Sequence, residues 1–154
     1  MKRVVIDTNV LISAALFDDS VPAQARDHAV RHGKLVATEQ TFAELTGDYN
    51  PLHFDKNFTA KTKFKELVVQ GGLTTGLMHA LVAMDLPGPG TVFLSQNWKF
   101  PAPVYIGDTI TAEATVLSVH ASKPVTQMSV TVKRQTGEVV LEGEVWCYTM
   151  RPDS

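Results

Sequence analysis

The ten residues 46–55, TGDYNPLHFD, carry a carboxylate at Asp48 and an imidazole at His53 on either side of an Asn50-Pro51 pair. An acid and an imidazole brought side by side can do general acid–base chemistry near neutral pH, where imidazole takes up and releases protons readily. In a straight strand the two side chains would stand too far apart to share one water molecule. Proline fixes its own φ and pushes the residue before it toward extended geometry, so Asn50-Pro51 makes a rigid bend that brings both side chains to one side. Singly, each residue has a more ordinary use. An Asp after Gly commonly closes a turn onto a backbone N–H, and a lone His commonly bonds a carbonyl at the edge of a core. Their combination about one bend is what points to chemistry.

A second candidate lies downstream. Leu73, Leu77, Ala80, Leu81 and Met84 recur at helical spacing, which predicts a helix of three to four turns led in by Gly71 and Gly72. A helix start presents unpaired N–H groups and the positive end of the helix dipole, and a glycine there lets a ligand approach closely. The Gly71 N–H is therefore a candidate donor to an oxyanion. Gly72 and Asn50 complete the candidate substrate-binding set, with Asn50 chiefly holding the bend.

The elements that must position these groups follow two styles. Residues 3–7, RVVID, read as a strand, 8–16 as a helix, 20–33 as a helix capped by Ser20 and ended by Gly33, 34–38 as a second strand, and 39–47 as a short helix stopped by Gly47. After the long helix, PGPG breaks the chain, and four segments follow with strand character: 91–100, 108–119, 125–134 and 138–150. Val130 and Val132 alternate with Thr131 and Lys133, as a half-buried strand requires. One long helix against a run of antiparallel strands is an α+β arrangement. Trp98 and Phe100 read as core or interface aromatics, His79 stays unassigned off the Leu face, and His28, His32 and His120 read as surface residues.

Composition narrows the function classes. With 154 residues and a formal net charge of −2, the chain can bury one sizeable core and lacks the basic face that nucleic acid demands. The single cysteine, Cys147, lies in an apolar run and reads as a buried, inert thiol suited to a reducing compartment. No apolar run reaches the length of a membrane span. A cytoplasmic protein without nucleic-acid or membrane partners is expected.

FAELTGDYNPLHFD, then VVQGGLTTGL, then PGPGTVFLSQNWKFPAPVYIGDTITAEATV closely resemble the (R)-specific enoyl-CoA hydratases and MaoC-like dehydratases of the hot-dog fold, over residues 42–150. Gly47, Asp48, Asn50, Pro51 and His53 all fall on that family's signature positions. The resemblance implies hydration of a trans-2-enoyl-CoA thioester to the (R)-3-hydroxyacyl-CoA, or the reverse, without metal or organic cofactor, in a homodimer or higher homo-oligomer. It implies Asp48 and His53 as the acid–base pair and the Gly71 N–H as oxyanion donor. The family commonly has His before that glycine and a large apolar residue after it, where this chain has Gln70 and Gly72, and it prefers Ala or Ser at the position of Thr59.

Residues 1–45 resemble instead the opening of a PIN-domain ribonuclease, a likeness that implies divalent-metal ligands at Asp7 and Glu44 but leaves the later acidic residues of that site without counterparts. The expected organisation is an N-terminal appendage at 1–33 followed by a hot-dog domain at 34–154. The alternatives are thioester hydrolysis, a catalytically silent acyl-binding module and, from the first segment, a metal-dependent ribonuclease.

Overall fold

The computed structural model describes residues 3–7, as backbone, and 39–150. The helices expected at 8–16 and 20–33 and the strand expected at 34–38 lie outside the described residues. In chain order the elements are β1 (Arg3–Asp7), α1 (Glu39–Thr46), α2 (Pro51–Phe54), α3 (Lys56–Thr59), α4 (Gly71–Met84), β2 (Thr91–Lys99), β3 (Ile110–Val119), β4 (Val125–Arg134) and β5 (Val139–Thr149). The five strands form one sheet in the order β1-β3-β4-β5-β2, with every neighbouring pair antiparallel. The α+β arrangement and the four expected downstream strands are therefore present, each within two residues of its expected ends.

The core lies between α4 and one face of the sheet. Leu77, Met78, Leu81 and Val82 pack with Ala112, Ala114, Met128, Val130, Val132, Val145 and Cys147, all essentially inaccessible to water. On β4 the alternation works as expected: Met128, Val130 and Val132 face the helix, while Lys133, from the other face, pairs with Glu113 of β3. The helix itself departs from expectation in its buried face. Leu77 and Leu81 are buried, but Met84 is 65% exposed, and Met78 and Val82 are buried in its place. Because α4 is apolar on most of its sides, periodicity alone did not fix which stripe meets the sheet.

The strand expected at RVVID finds an edge to pair with. Its register runs from Arg3 opposite Thr115 to Asp7 opposite Thr111, so the outer N–H and C=O groups of β3 are satisfied there. At the other end of the sheet, β2 pairs with β5.

Candidate active site

The bend assembles from short-range hydrogen bonds. Gly47 ends α1 in the left-handed region at φ 77°, with its N–H donating to the Ala43 carbonyl at 2.8 Å, a helix end that glycine makes without steric cost. The Asn50 N–H then donates to Asp48 Oδ1 at 3.3 Å, and Asn50 Oδ1 accepts from the Leu52 N–H at 3.0 Å, capping α2 with Pro51 in its first position. The His53 N–H donates to the Asn50 carbonyl at 2.9 Å. Asn50 thus ties the bend on both sides.

The result is Asp48 Oδ2 at 3.6 Å from His53 Nε2. His53 is only 12% exposed whereas Asp48 is 42% exposed, so the imidazole is seated and the carboxylate reaches solvent. The other ring nitrogen, Nδ1, lies 2.5 Å from the Val68 carbonyl. A carbonyl only accepts, so Nδ1 carries the proton, and in the neutral ring Nε2 is an acceptor turned toward Asp48. A water molecule donating one O–H to each would satisfy both acceptors.

Val68 is itself fixed. Its N–H donates to the Leu52 carbonyl at 3.0 Å, it bridges to Tyr105, and the next residue, Val69, donates to the Val104 carbonyl at 2.8 Å. The chain then enters α4 through Gln70, whose side chain makes no capping bond, so the first N–H groups of the helix stay available. The Gln70 side chain points elsewhere. It is fully buried, its Nε2 donates to the Glu39 carbonyl of α1 at 3.2 Å, and its Oε1 has no partner among the described residues.

His53 and Gly71 line one open cavity of about 500 Å³, together with Thr74, Phe100, Val104 and Val140. Asp48 does not itself line the cavity and meets it only through its 3.6 Å approach to His53, while Asn50 supports the bend from outside. Gly72 faces the other way: a Cβ there would stand 2.3 Å from Phe42 Cζ, so this glycine admits the ring of α1. Phe100, expected in a core or interface, is 52% exposed and lines the cavity. Its position beside Gly71 comes from folding β2 against α4, and nothing local in the sequence marks it. Thr74, not singled out from the sequence, could have been found there, since it lies one helical turn beyond Gly71. Trp98 packs at the margin of the core as expected.

One wall of the cavity is braced by a charged cluster. Asp108 accepts from the Tyr105 N–H at 2.9 Å, from Gln135 Nε2 at 2.8 Å and from Arg134 Nη1 at 3.2 Å. Burial pushes its carboxyl upward, but these bonds outweigh burial and hold it below the ordinary carboxylate range. Arg134 also pairs with Glu138 and lies over the Tyr105 ring at 5.4 Å. His79 is outside this cavity: it bonds Gln96 at 2.9 Å and stacks near Phe93, and burial lowers its pKa against the Gln96 bond. His120 is exposed, as expected, and accepts from the Ser122 and Lys123 N–H groups.

Glu44, the one proposed ribonuclease ligand whose side chain is described, is exposed on α1 and accepts from Gln40. Among the described residues no group of three or more His, Cys, Asp or Glu is placed to hold a metal ion.

The MaoC like domain family matches residues 18–138. An (R)-specific enoyl-CoA hydratase of Aeromonas caviae is 38% identical over 103 residues, 67% of this chain and 77% of that protein. One from Rhodospirillum rubrum is 40% identical over 103 residues, 67% of this chain and 71% of that protein. Among solved structures, the (R)-hydratase of A. caviae involved in PHA biosynthesis superposes with a TM-score of 0.72 at 28% identity, covering 97% of this chain and 95% of that one. The fold is thus the hot-dog fold. The likeness of residues 1–45 to a PIN-domain ribonuclease is not borne out, since the family match already covers the chain from residue 18. A short strand ending in Asp and an AEL stretch on a helix recur in unrelated folds, and they carried that likeness. The chain belongs to the MaoC-like dehydratase family.

Proposed function

We propose that the protein hydrates trans-2-enoyl-CoA thioesters to (R)-3-hydroxyacyl-CoA, or catalyses the reverse dehydration. The observation that carries this reading is the approach of Asp48 Oδ2 to His53 Nε2 at 3.6 Å, with His53 on the cavity that Gly71 also lines. With the thioester seated there, the Asp48 carboxylate and Nε2 hold one water against the β-carbon. As the C–O bond forms, the pair takes a proton from that water, the C=C electrons move toward the α-carbon, and the thioester oxygen gains enolate charge. The Gly71 N–H at the start of α4 stabilises that charge. The proton then passes from the pair to the α-carbon, restoring the carbonyl and the resting pair.

The test is the fate of crotonyl-CoA. Loss of the enoyl absorbance with formation of (R)-3-hydroxybutyryl-CoA supports the proposal, while release of free thiol with the double bond intact would assign thioester hydrolysis instead.

Two further readings belong with it. The partner is a second copy of the chain: Val92 and Leu94 stand exposed on the edge strand β2, and Phe100, just past the far end of that strand, is half in solvent. Light scattering at micromolar concentration should give at least twice the monomer mass. We take residues 34–154 as the catalytic unit although the family match begins at residue 18, with 1–33 an N-terminal segment whose β1 completes the sheet edge. Deleting residues 1–33 should lower Tm through exposure of the β3 edge yet leave kcat within about twofold; a folded truncated protein without activity would contradict the boundary. The buried thiol of Cys147 suits a reducing compartment, and we place the protein in the cytoplasm.

A further inference from the structure

The chain carries a net charge of −2, yet residues 56–66, KNFTAKTKFKE, hold four lysines and a single acid, Glu66. Cations elsewhere on the fold are of two kinds: Lys99 and Lys123 stand singly without an ion pair among the described residues, while the two on β4 are paired. Lys133 pairs with Glu113 at 3.2 Å, and Arg134 is held between Asp108 and Glu138. Among the described residues, by contrast, Lys56, Lys61, Lys63 and Lys65 make no ion pair: Lys63 Nζ lies 5.1 Å over the Phe64 ring, and Lys65 Nζ reaches only the Ala60 carbonyl at 3.4 Å. All four are exposed.

Their position matters as much as their charge. Lys63 lines the cavity that holds His53 and Gly71. Lys56 and Lys65 line a second cavity of about 360 Å³ with Ile106, the residue next to Tyr105 on the wall of the first. The interior of the first cavity is apolar at Val104, Val140 and Phe100, suited to an acyl chain. A thioester at Gly71 with its acyl chain inward leaves its carrier to pass the lysine-bearing segment on the way out.

We propose that Lys56, Lys63 and Lys65 form the recognition site for the phosphate groups of the CoA carrier. This rests on the hydratase reading above. Phosphate oxygens are strong acceptors, and lysine serves them as a mobile point charge. Because the lysines are solvated, the attraction is screened by salt and is expressed in substrate capture, with the chemical step unaffected.

The experiment compares crotonyl-CoA with crotonyl-pantetheine, the same thioester without phosphate, for the wild type and for Lys56→Gln/Lys63→Gln/Lys65→Gln. Neutralisation should raise KM for crotonyl-CoA about tenfold, with kcat and the pantetheine KM unchanged, and should flatten the rise of that KM with salt. Lys63→Arg within the triple variant should restore part of the affinity, and Lys123→Gln, a control for net charge, should change nothing. Equal changes for both thioesters, or no change for either, would overturn the proposal, and equal loss with Lys123→Gln would reduce it to overall charge. If the wild type hydrates neither thioester, the hydratase reading fails first and this site with it; turnover of crotonyl-pantetheine by the triple variant shows that the active site is intact.

Discussion

Two stretches form the candidate active site, and they are built in opposite ways. Between Thr46 and His53 the backbone is set by hydrogen bonds spanning two to four residues, through Asp48, Asn50 and the left-handed Gly47. At the start of α4 the supports come from far along the chain: Glu39 bonds Gln70 across 31 residues, Phe42 occupies the space over Gly72, and Phe100 stands over Gly71. The bend therefore carries its geometry with it, whereas the helix start has geometry only once α1 and β2 are in place. The His53–Val68 bond links the two.

Substitutions should separate the stretches. The largest effect is expected in the bend, where Asp48→Asn and His53→Ala should each lower kcat by on the order of 10²-fold or more, because each removes an acid–base partner. Stability should fall by no more than about 1 kcal/mol, the net worth of the one Nδ1–H bond that His53 loses. Steady-state kinetics alongside thermal unfolding would expose any variant that loses activity only by unfolding.

Gly72→Ala should do the reverse. Its methyl group meets the Phe42 ring, so the ring or α1 must shift, at a cost of about 1–3 kcal/mol where α1 moves, read as a lower denaturation midpoint with kcat nearly retained at low temperature. An unchanged midpoint would show that Phe42 turns aside freely. The neighbouring Gly71→Ala tests the cavity itself. Its Cβ would meet Phe100 Cε1 at 3.4 Å, an ordinary contact, so the protein should fold normally. The methyl group would narrow the approach to the N–H and lower kcat/KM about tenfold through a displaced thioester. The smallest effect belongs to metal removal: EDTA should leave turnover unchanged, and a loss restored by a divalent ion would contradict activation of water by side chains alone.

The same contrast explains what the sequence made legible. Asp48, Asn50, Pro51 and His53 could be read because their bonds close within a few residues, and the strands from β2 to β5 because turn residues bound each one and β4 alternates cleanly. The buried face of α4 was misplaced because Met78, Val82 and Met84 are equally apolar, and only contact with β3 and β4 chooses among them. Gly72 looked like part of the binding set because a glycine beside a helix start has several uses, and Phe42, which decides among them, lies on another helix. Phe100 gave no local sign of lining the cavity. Its exposure beside Gly71 follows from where β2 ends, and that depends on the whole sheet.

The central claim is that Asp48 and His53 act on one water as a single unit. The most direct measurement is kcat for crotonyl-CoA hydration by Asp48→Asn, His53→Ala and the double variant, all shown to be folded. If the two work as a unit, the double variant should be no slower than the worse single variant within about threefold, because the first loss already disables the pair. Losses that multiply, placing the double variant near 10⁴-fold below the wild type, would mean that the two residues contribute independently and would contradict the shared-water site.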